Sequence, residues 1–279
     1  MSLIRKIIDA IGFLTITGFI KNGDNNWNIN ENNGDNNNNN GCRNGSSNGS
    51  KTEGLKASIK FFPIAGLFIG AFLAAVFFIL HKFSTIQIAS LISLLCLFII
   101  TGGLHFDGLS DTADGLFAYL KSRDRTRFYK AMKDVNTGFA GSAAMIFYIL
   151  IMWAGIDAVN IKFVYLSLFT FPVVGRYSIV LTSYFLNTPE DFKGIGSVFT
   201  ESTGLLTLVA ASVLTVAIIY LFLNLSGIFS LSVSALSVLI LGLYFSKKFG
   251  GVNGDMIGFS VKISEIVYII ALCGFYKAL

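Results

Sequence analysis

Apolar residues in this chain come in long runs rather than in alternation. Seven runs of about 20 residues, at 61–80, 84–104, 138–157, 163–185, 205–224, 227–246 and 257–276, are almost wholly apolar. Coiled as helices rising ~1.5 Å per residue, each is long enough to cross ~30 Å of hydrocarbon. The pattern predicts an all-α, polytopic integral membrane bundle of about seven transmembrane helices. The first apolar stretch, Leu3 to Ile20, is shorter and carries Arg5, Lys6 and Asp9, which favours an N-terminal interfacial or re-entrant helix. Its basic start and apolar middle also fit a signal peptide, but no small-residue cleavage site follows. The chain divides into 1–21, this N-terminal helix; 22–50, a polar insertion; and 51–279, a membrane-embedded catalytic domain.

Composition sharpens the class. The chain is 53% hydrophobic and only 13% charged, with 27 Phe and 3 Pro among 279 residues, far more apolar than a soluble domain. The few cations then fix an orientation. With Phe61 on the cytoplasmic side, the segments 1–60, 105–137, 186–204 and 247–256 are cytoplasmic and the turns near 81–83, 158–162 and 225–227 external. That arrangement puts 16 of the 21 Lys and Arg inside, as the positive-inside rule prefers. The net charge of +5 is thereby an orientation signal, and nothing in it points to nucleic acid. Residues 22–50 are nearly all Asn, Gly, Asp and Ser, too polar to bury a core, and read as a disordered cytoplasmic insertion. The three cysteines, Cys42, Cys96 and Cys273, have neither metal nor disulfide spacing.

Chemistry is concentrated in Gly102-Gly103-Leu104-His105-Phe106-Asp107-Gly108-Leu109-Ser110-Asp111-Thr112-Ala113-Asp114-Gly115, directly after an apolar run. On a helix, Asp111 and Asp114 fall at about 40° and about 340° from Asp107, so the three carboxylates share one narrow face. Three such charges repel each other unless a divalent cation joins them, and oxygen-only donors suit magnesium or manganese better than zinc. Downstream, Lys121, Arg123, Arg125, Arg127, Lys130 and Lys133 can neutralise a diphosphate that also touches the metal. Such a loop also arises from topology alone.

Other candidates lie further along. Gly66 and Gly70 are spaced for close helix packing. Arg176 stands inside a predicted span, where an unpaired charge costs at least ~2.5 kcal/mol, so its expected partner is the acidic cluster or a phosphate. Gly250-Gly251-Val252-Asn253-Gly254-Asp255 opens the last span and brings Asp255 level with Asp107. Lys262 and Glu265, three apart on that helix, either pair with each other or bind ligand. Gly194 and Gly196 lie in a loop beside Lys193. Together these residues predict phosphoryl-group transfer from a nucleoside diphosphate conjugate to an alcohol, at the cytoplasmic face.

The acidic run closely resembles the signature of cobalamin synthases, the adenosylcobinamide-GDP ribazoletransferases. Matches continue in order through Phe62-Pro63 with Gly66, Arg123-Asp124-Arg125, Met132-Lys133-Asp134 with Gly138, Gly175-Arg176, Gly194 to Phe199, and Gly250-Gly251 with Gly254-Asp255, Gly258 and Glu265. Departures are Val135-Asn136 in place of Ser-Arg, Asn253 in place of Thr, and Lys262 where the family is often acidic. The resemblance implies a magnesium-dependent enzyme of the cytoplasmic membrane that joins α-ribazole or its 5′-phosphate to adenosylcobinamide-GDP and releases GMP. It implies Asp107, Asp111, Asp114 and Asp255 as metal ligands and Arg123, Arg125, Lys133 and Arg176 as phosphate contacts. Gly194, Gly196 and Gly254 would lie at the substrate, and His105 or Asp134 would accept the hydroxyl proton, although His105 falls at about 160° on the wheel, off the carboxylate face. Homo-oligomerisation stays open.

Two other readings compete. A CDP-alcohol phosphotransferase uses similar membrane carboxylates, but its motif needs Ala-Arg where this chain has Asp111-Thr112. A cation or proton transporter would spread charges near the bilayer midplane and often shows repeats. Here the acids crowd one face and no repeat is found.

Overall fold

The computed structural model describes residues 3–15, 56–159, 161–189 and 195–278. The 22–50 insertion and Gly194 lie outside them. The described residues form helices and no strand: α1 (Leu3–Leu14), a 3-10 turn (Ile59–Phe61), α2 (Phe62–His81), α3 (Ile86–Ile100), α4 (Leu104–Ser122), α5 (Arg125–Met132), α6 (Phe139–Asp157), α7 (Ile161–Phe185), α8 (Ile195–Ser202), α9 (Leu205–Phe249) and α10 (Gly254–Ala278).

By length and apolar composition five helices qualify as membrane spans, or six if α3 and α4 together make one broken span, against the seven expected. Two features account for this. First, the run at 84–104 is not one straight helix. α3 has 15 residues, about 22 Å at ~1.5 Å per residue, short of the ~30 Å core. Gly102 (φ +59°) and Gly103 (φ +72°) are both left-handed, a conformation glycine adopts without penalty, and α4 leaves at 91° to α3. The segment after His105, expected to be helical from Asp107, is helical from Leu104. Its first half is a helix packed into the bundle, with His105, Phe106, Leu109 and Thr112 buried.

Second, α9 is two helical segments joined across a kink at Asn224 (φ 50°, ψ −139°), which matches the expected pair 205–224 and 227–246 and the turn near 225–227; taken as one continuous helix it makes a single span of the five. The chain reverses there. Gly227 packs on Ile219, eight residues back, and the two halves run along different neighbours: Tyr177 Oη lies 2.8 Å from Ser212 Oγ, whereas Ser234 Oγ donates to the Ser264 carbonyl.

α7 is the central post, buried nearly all round from Val164 to Ser183. α2 approaches it at Gly66 and Gly70, whose bare backbones rest on Pro172 and Phe169, so this pair is a packing device. α6 shows the opposite pattern. It buries one stripe, Gly141, Tyr148, Met152 and Ile156, and turns Ile146, Phe147, Ile149 and Leu150 outward, as a helix against lipid does. α1 packs at one end of the bundle through Ala10 and Leu14, with Phe13 against Phe62 and Phe199; its 12 residues are too few to span.

Four helices meet at a buried charge. Arg176 of α7 and Glu265 of α10 pair at 2.9 Å, and Lys262 reaches the other oxygen of Glu265 at 3.0 Å. Tyr148 of α6 donates to that same oxygen at 2.6 Å, while the Lys262 ammonium lies 4.0 Å from the centre of the Phe106 ring of α4. All of these side chains are buried. Arg176 thus pairs with Glu265 rather than with the acidic cluster, and the Lys262–Glu265 pair predicted from spacing is present. Two cations share one anion here. Removing one of the cations leaves a neutral pair, whereas removing the anion leaves two buried like charges, and breaking a buried pair in this way costs about 3–5 kcal/mol. We therefore expect Glu265→Gln to lower the thermal midpoint in detergent well below that of Lys262→Met; equal midpoints would contradict this account.

Candidate active site

The acidic helix is set by a backbone crossing. Gly108 of α4 lies directly on the backbone of Asp255 and Gly258 in α10, so close that a Cβ there would stand 2.7 Å from the Asp255 carbonyl oxygen. This contact places Asp107 and Asp111 beside Asp255, as the sequence reading expected. Asp107 is exposed, and Asp111 and Asp255 are half-buried. Asp111 is within electrostatic reach of Asp107, Asp255 and Asp114. Among the described residues none of Asp107, Asp111 and Asp255 is ion-paired.

The rim is made from backbone and cations. α8 brings Gly196 onto Asn253–Gly254, with no room for a side chain between them. Asn253 caps α10 by accepting from the Met256 amide at 2.9 Å. The first turns of α8 and α10, where the helix dipole is positive, thus lie next to Asp255. The basic helix α5 is fixed by its apolar side: Phe128 stacks on Phe249 at 3.8 Å and Tyr129 Oη donates to the Phe249 carbonyl at 3.0 Å. Its exposed side carries Arg125, Arg127 and Lys130.

Not every predicted site residue joins the cluster. Arg125 lies over the Tyr129 ring and against the Gly250 backbone, at the end of α9. Arg123 is the left-handed cap of α4 (φ 56°) and, like Lys133, is exposed. His105 is buried beside Gly258, turned away from the exposed Asp107 as its wheel angle implies, and its Nδ1 has no hydrogen-bond partner among the described residues. Asp114 accepts two backbone N–H bonds, from Gly138 at 2.7 Å and Gly141 at 2.9 Å. Asp134 is exposed on the loop after α5; hydrogen bonds from the backbone and side chain of Asn136 hold its carboxyl below the ordinary carboxylate range, which makes it a weak base. Sequence reasoning missed Tyr148 and Phe106, which hold the Lys262–Glu265 pair. The available signal was the position of Tyr148 on the inward stripe of α6, seven residues after Gly141.

Whether these groups fit a divalent cation can be judged from the donors. Among the described residues no three Asp, Glu, His or Cys side chains are close enough, as they stand, to hold one ion. The donor set itself fits a hard cation: carboxylate oxygens from two helices, gathered without a compensating charge and open to water on one side.

Fold and site together define a helical membrane protein with an acidic centre where α4 crosses the start of α10, and with the basic helix α5 packed on α4. A family model described as cobalamin-5-phosphate synthase matches residues 46–273, and the chain belongs to that family, whose members are transferases of cobalamin biosynthesis. Relatives named adenosylcobinamide-GDP ribazoletransferase include those of Geotalea daltonii, 33% identical over 80% of this chain and 88% of the relative, and Clostridium novyi, 30% identical over 81% and 89%. One from Escherichia coli O127:H6 is 30% identical over 79% and 89%. No solved structure matches.

Two outcomes are expected. Gly108→Ala drives a Cβ into the backbone of α10, whereas at Gly258 the nearest atom to an added Cβ is 3.4 Å away. Gly108→Ala should therefore lower the thermal midpoint in detergent more than Gly258→Ala does. Because Asp134 already ionises below the usual range, Asp134→Asn should leave the pH–rate profile between pH 6 and 8 unchanged on the ordinary carboxylate scale; loss of a limb in that window would restore Asp134 as the base.

Proposed function

We propose that this chain catalyses the adenosylcobinamide-GDP ribazoletransferase reaction. A ribose hydroxyl that is free in both α-ribazole and its 5′-phosphate attacks the phosphorus attached to cobinamide. A new P–O bond forms, the bond to the bridging oxygen breaks, GMP leaves with that oxygen, and the hydroxyl proton passes to a base or water. The observation that carries this reading is the meeting of Asp107 and Asp111 with Asp255 at the Gly108 crossing, where the start of α10 and Gly196 of α8 also pack together. Acidic oxygens and phosphate-binding groups on one rim suit a diphosphate conjugate. Family membership and the names of the relatives support the same substrate pair.

Asp107, Asp111 and Asp255 would hold Mg2+. When bound, the ion would neutralise diphosphate charge and favour departure of GMP. Exposed Arg123, Arg127, Lys130 and Lys133 would contact phosphate oxygens, with Arg125 steadying α5 on the end of α9. The bare backbones of Gly196 and Gly254, with Gly194 two residues before Gly196 in the chain, would admit the nucleotide end of the conjugate. Buried His105 and Arg176 would act as supports of α4 and α7 rather than as contacts, and neither His105 nor Asp134 is favoured as the base. The site would face the cytoplasm, on the side to which most Lys and Arg are assigned.

The test is turnover by the purified protein in liposomes supplied with adenosylcobinamide-GDP and α-ribazole. Cobalamin and GMP should form in equal amounts with Mg2+ and stop on adding EDTA. Asp111→Asn should cut the rate by roughly 10²–10³-fold, the usual cost of losing one group that stabilises transition-state charge. Near-normal activity in Asp111→Asn, or in EDTA, would sink the metal role. Absence of product with both ribazole forms, but turnover of a CDP-activated lipid, would move the assignment to another alcohol.

A further inference from the structure

The acidic motif ends in Asp114-Gly115, and both residues are occupied by neighbouring helices. α6 begins at Gly138, an extended N-cap with no side chain to offer, so its first N–H groups need partners from elsewhere. Asp114 supplies them from α4: one carboxylate oxygen accepts from Gly138 at 2.7 Å and the other from Gly141 at 2.9 Å. The negative charge also sits at the positive end of the α6 dipole. Both glycines are packed so tightly on the carboxylate that a Cβ at either would overlap it. One residue on, the bare backbone of Gly115 receives Met132 and Phe128 of α5.

We infer that Asp114 is a positioning residue and not a cation ligand. With Gly115 it fastens α6 and the basic helix α5 to the acidic helix, and leaves Asp107, Asp111 and Asp255 to face the ion. A cation at Asp114 would meet two N–H dipoles already aimed at the same oxygens, which oppose it. The inference rests on the divalent-cation reading of the site, and the motif then divides in two: an upstream part that meets the ion and a downstream part that assembles the rim.

The experiment pairs Mg2+ titration calorimetry with hydrogen exchange at residues 138–142, on purified full-length protein in detergent. Asp114→Asn turns an amide NH2 toward one of the two N–H groups and loses at least one cap bond. It should keep Mg2+ affinity within about threefold of the unaltered chain, while exchange at the start of α6 rises roughly tenfold, the scale of a lost cap. Gly141→Ala, which disturbs the same bond and leaves every acid in place, should give the same pattern. Asp111→Asn should do the reverse, losing Mg2+ binding with α6 still protected. Loss of Mg2+ binding in Asp114→Asn with unchanged protection at 138–142 would overturn the inference. Should the unaltered chain bind no Mg2+, the metal reading falls. The exchange arm then decides the cap alone, and unchanged protection in Asp114→Asn overturns it.

Discussion

The structure depends on one close approach of two backbones, where Gly108 of α4 lies on Asp255 and Gly258 of α10. Carboxylates repel, so nothing in the acids themselves brings α4 and α10 together. Packing does. The contact is available because Gly108 and Gly258 carry no side chain at the crossing, and it brings Asp107, Asp111 and Asp255 within electrostatic reach of one another. Two left-handed glycines upstream turn α4 through 91°, so that its acidic face meets α10 instead of continuing the line of α3.

The buried cluster around Glu265 serves the same crossing from within the bundle. Tyr148, Arg176, Lys262 and Glu265 come from α6, α7 and α10, and the Lys262 ammonium rests on Phe106, the residue before Asp107. Charges removed from water are expensive unless matched, which gives this arrangement a narrow tolerance for rearrangement. The central helices are thereby fixed in rotation as well as in distance. Toward the rim, Asp114 and Gly115 attach α6 and α5, so a single 19-residue helix organises the whole end of the bundle.

Much of this was legible in the chain. Apolar runs of about 20 residues announce spans because hydrocarbon demands that length, and the structure agrees closely at Phe62–His81, Phe139–Asp157 and Ile161–Phe185. The shared face of the acids, the close packing at Gly66 and Gly70 and the inward turn of His105 follow from helical periodicity, which is local. The bend at Gly102-Gly103 was not read correctly, whereas the break at Asn224 falls beside the turn expected near 225–227. Hydropathy averages over a window and takes no account of direction, so a run that turns by 91° looks like one that does not.

By itself the sequence determined the membrane class, the helical character and the residues able to do chemistry, because each follows from composition or from spacing along one helix. Only the tertiary structure decided how those residues are divided. Arg176 went to Glu265, Asp114 to the α6 N-terminus and Asp134 to its own loop, leaving three carboxylates at the open mouth. The reason is physical: partner choice for a charge depends on what the fold brings within about 3 Å, and the helices that meet at these points are separated by 24 to 89 residues of chain.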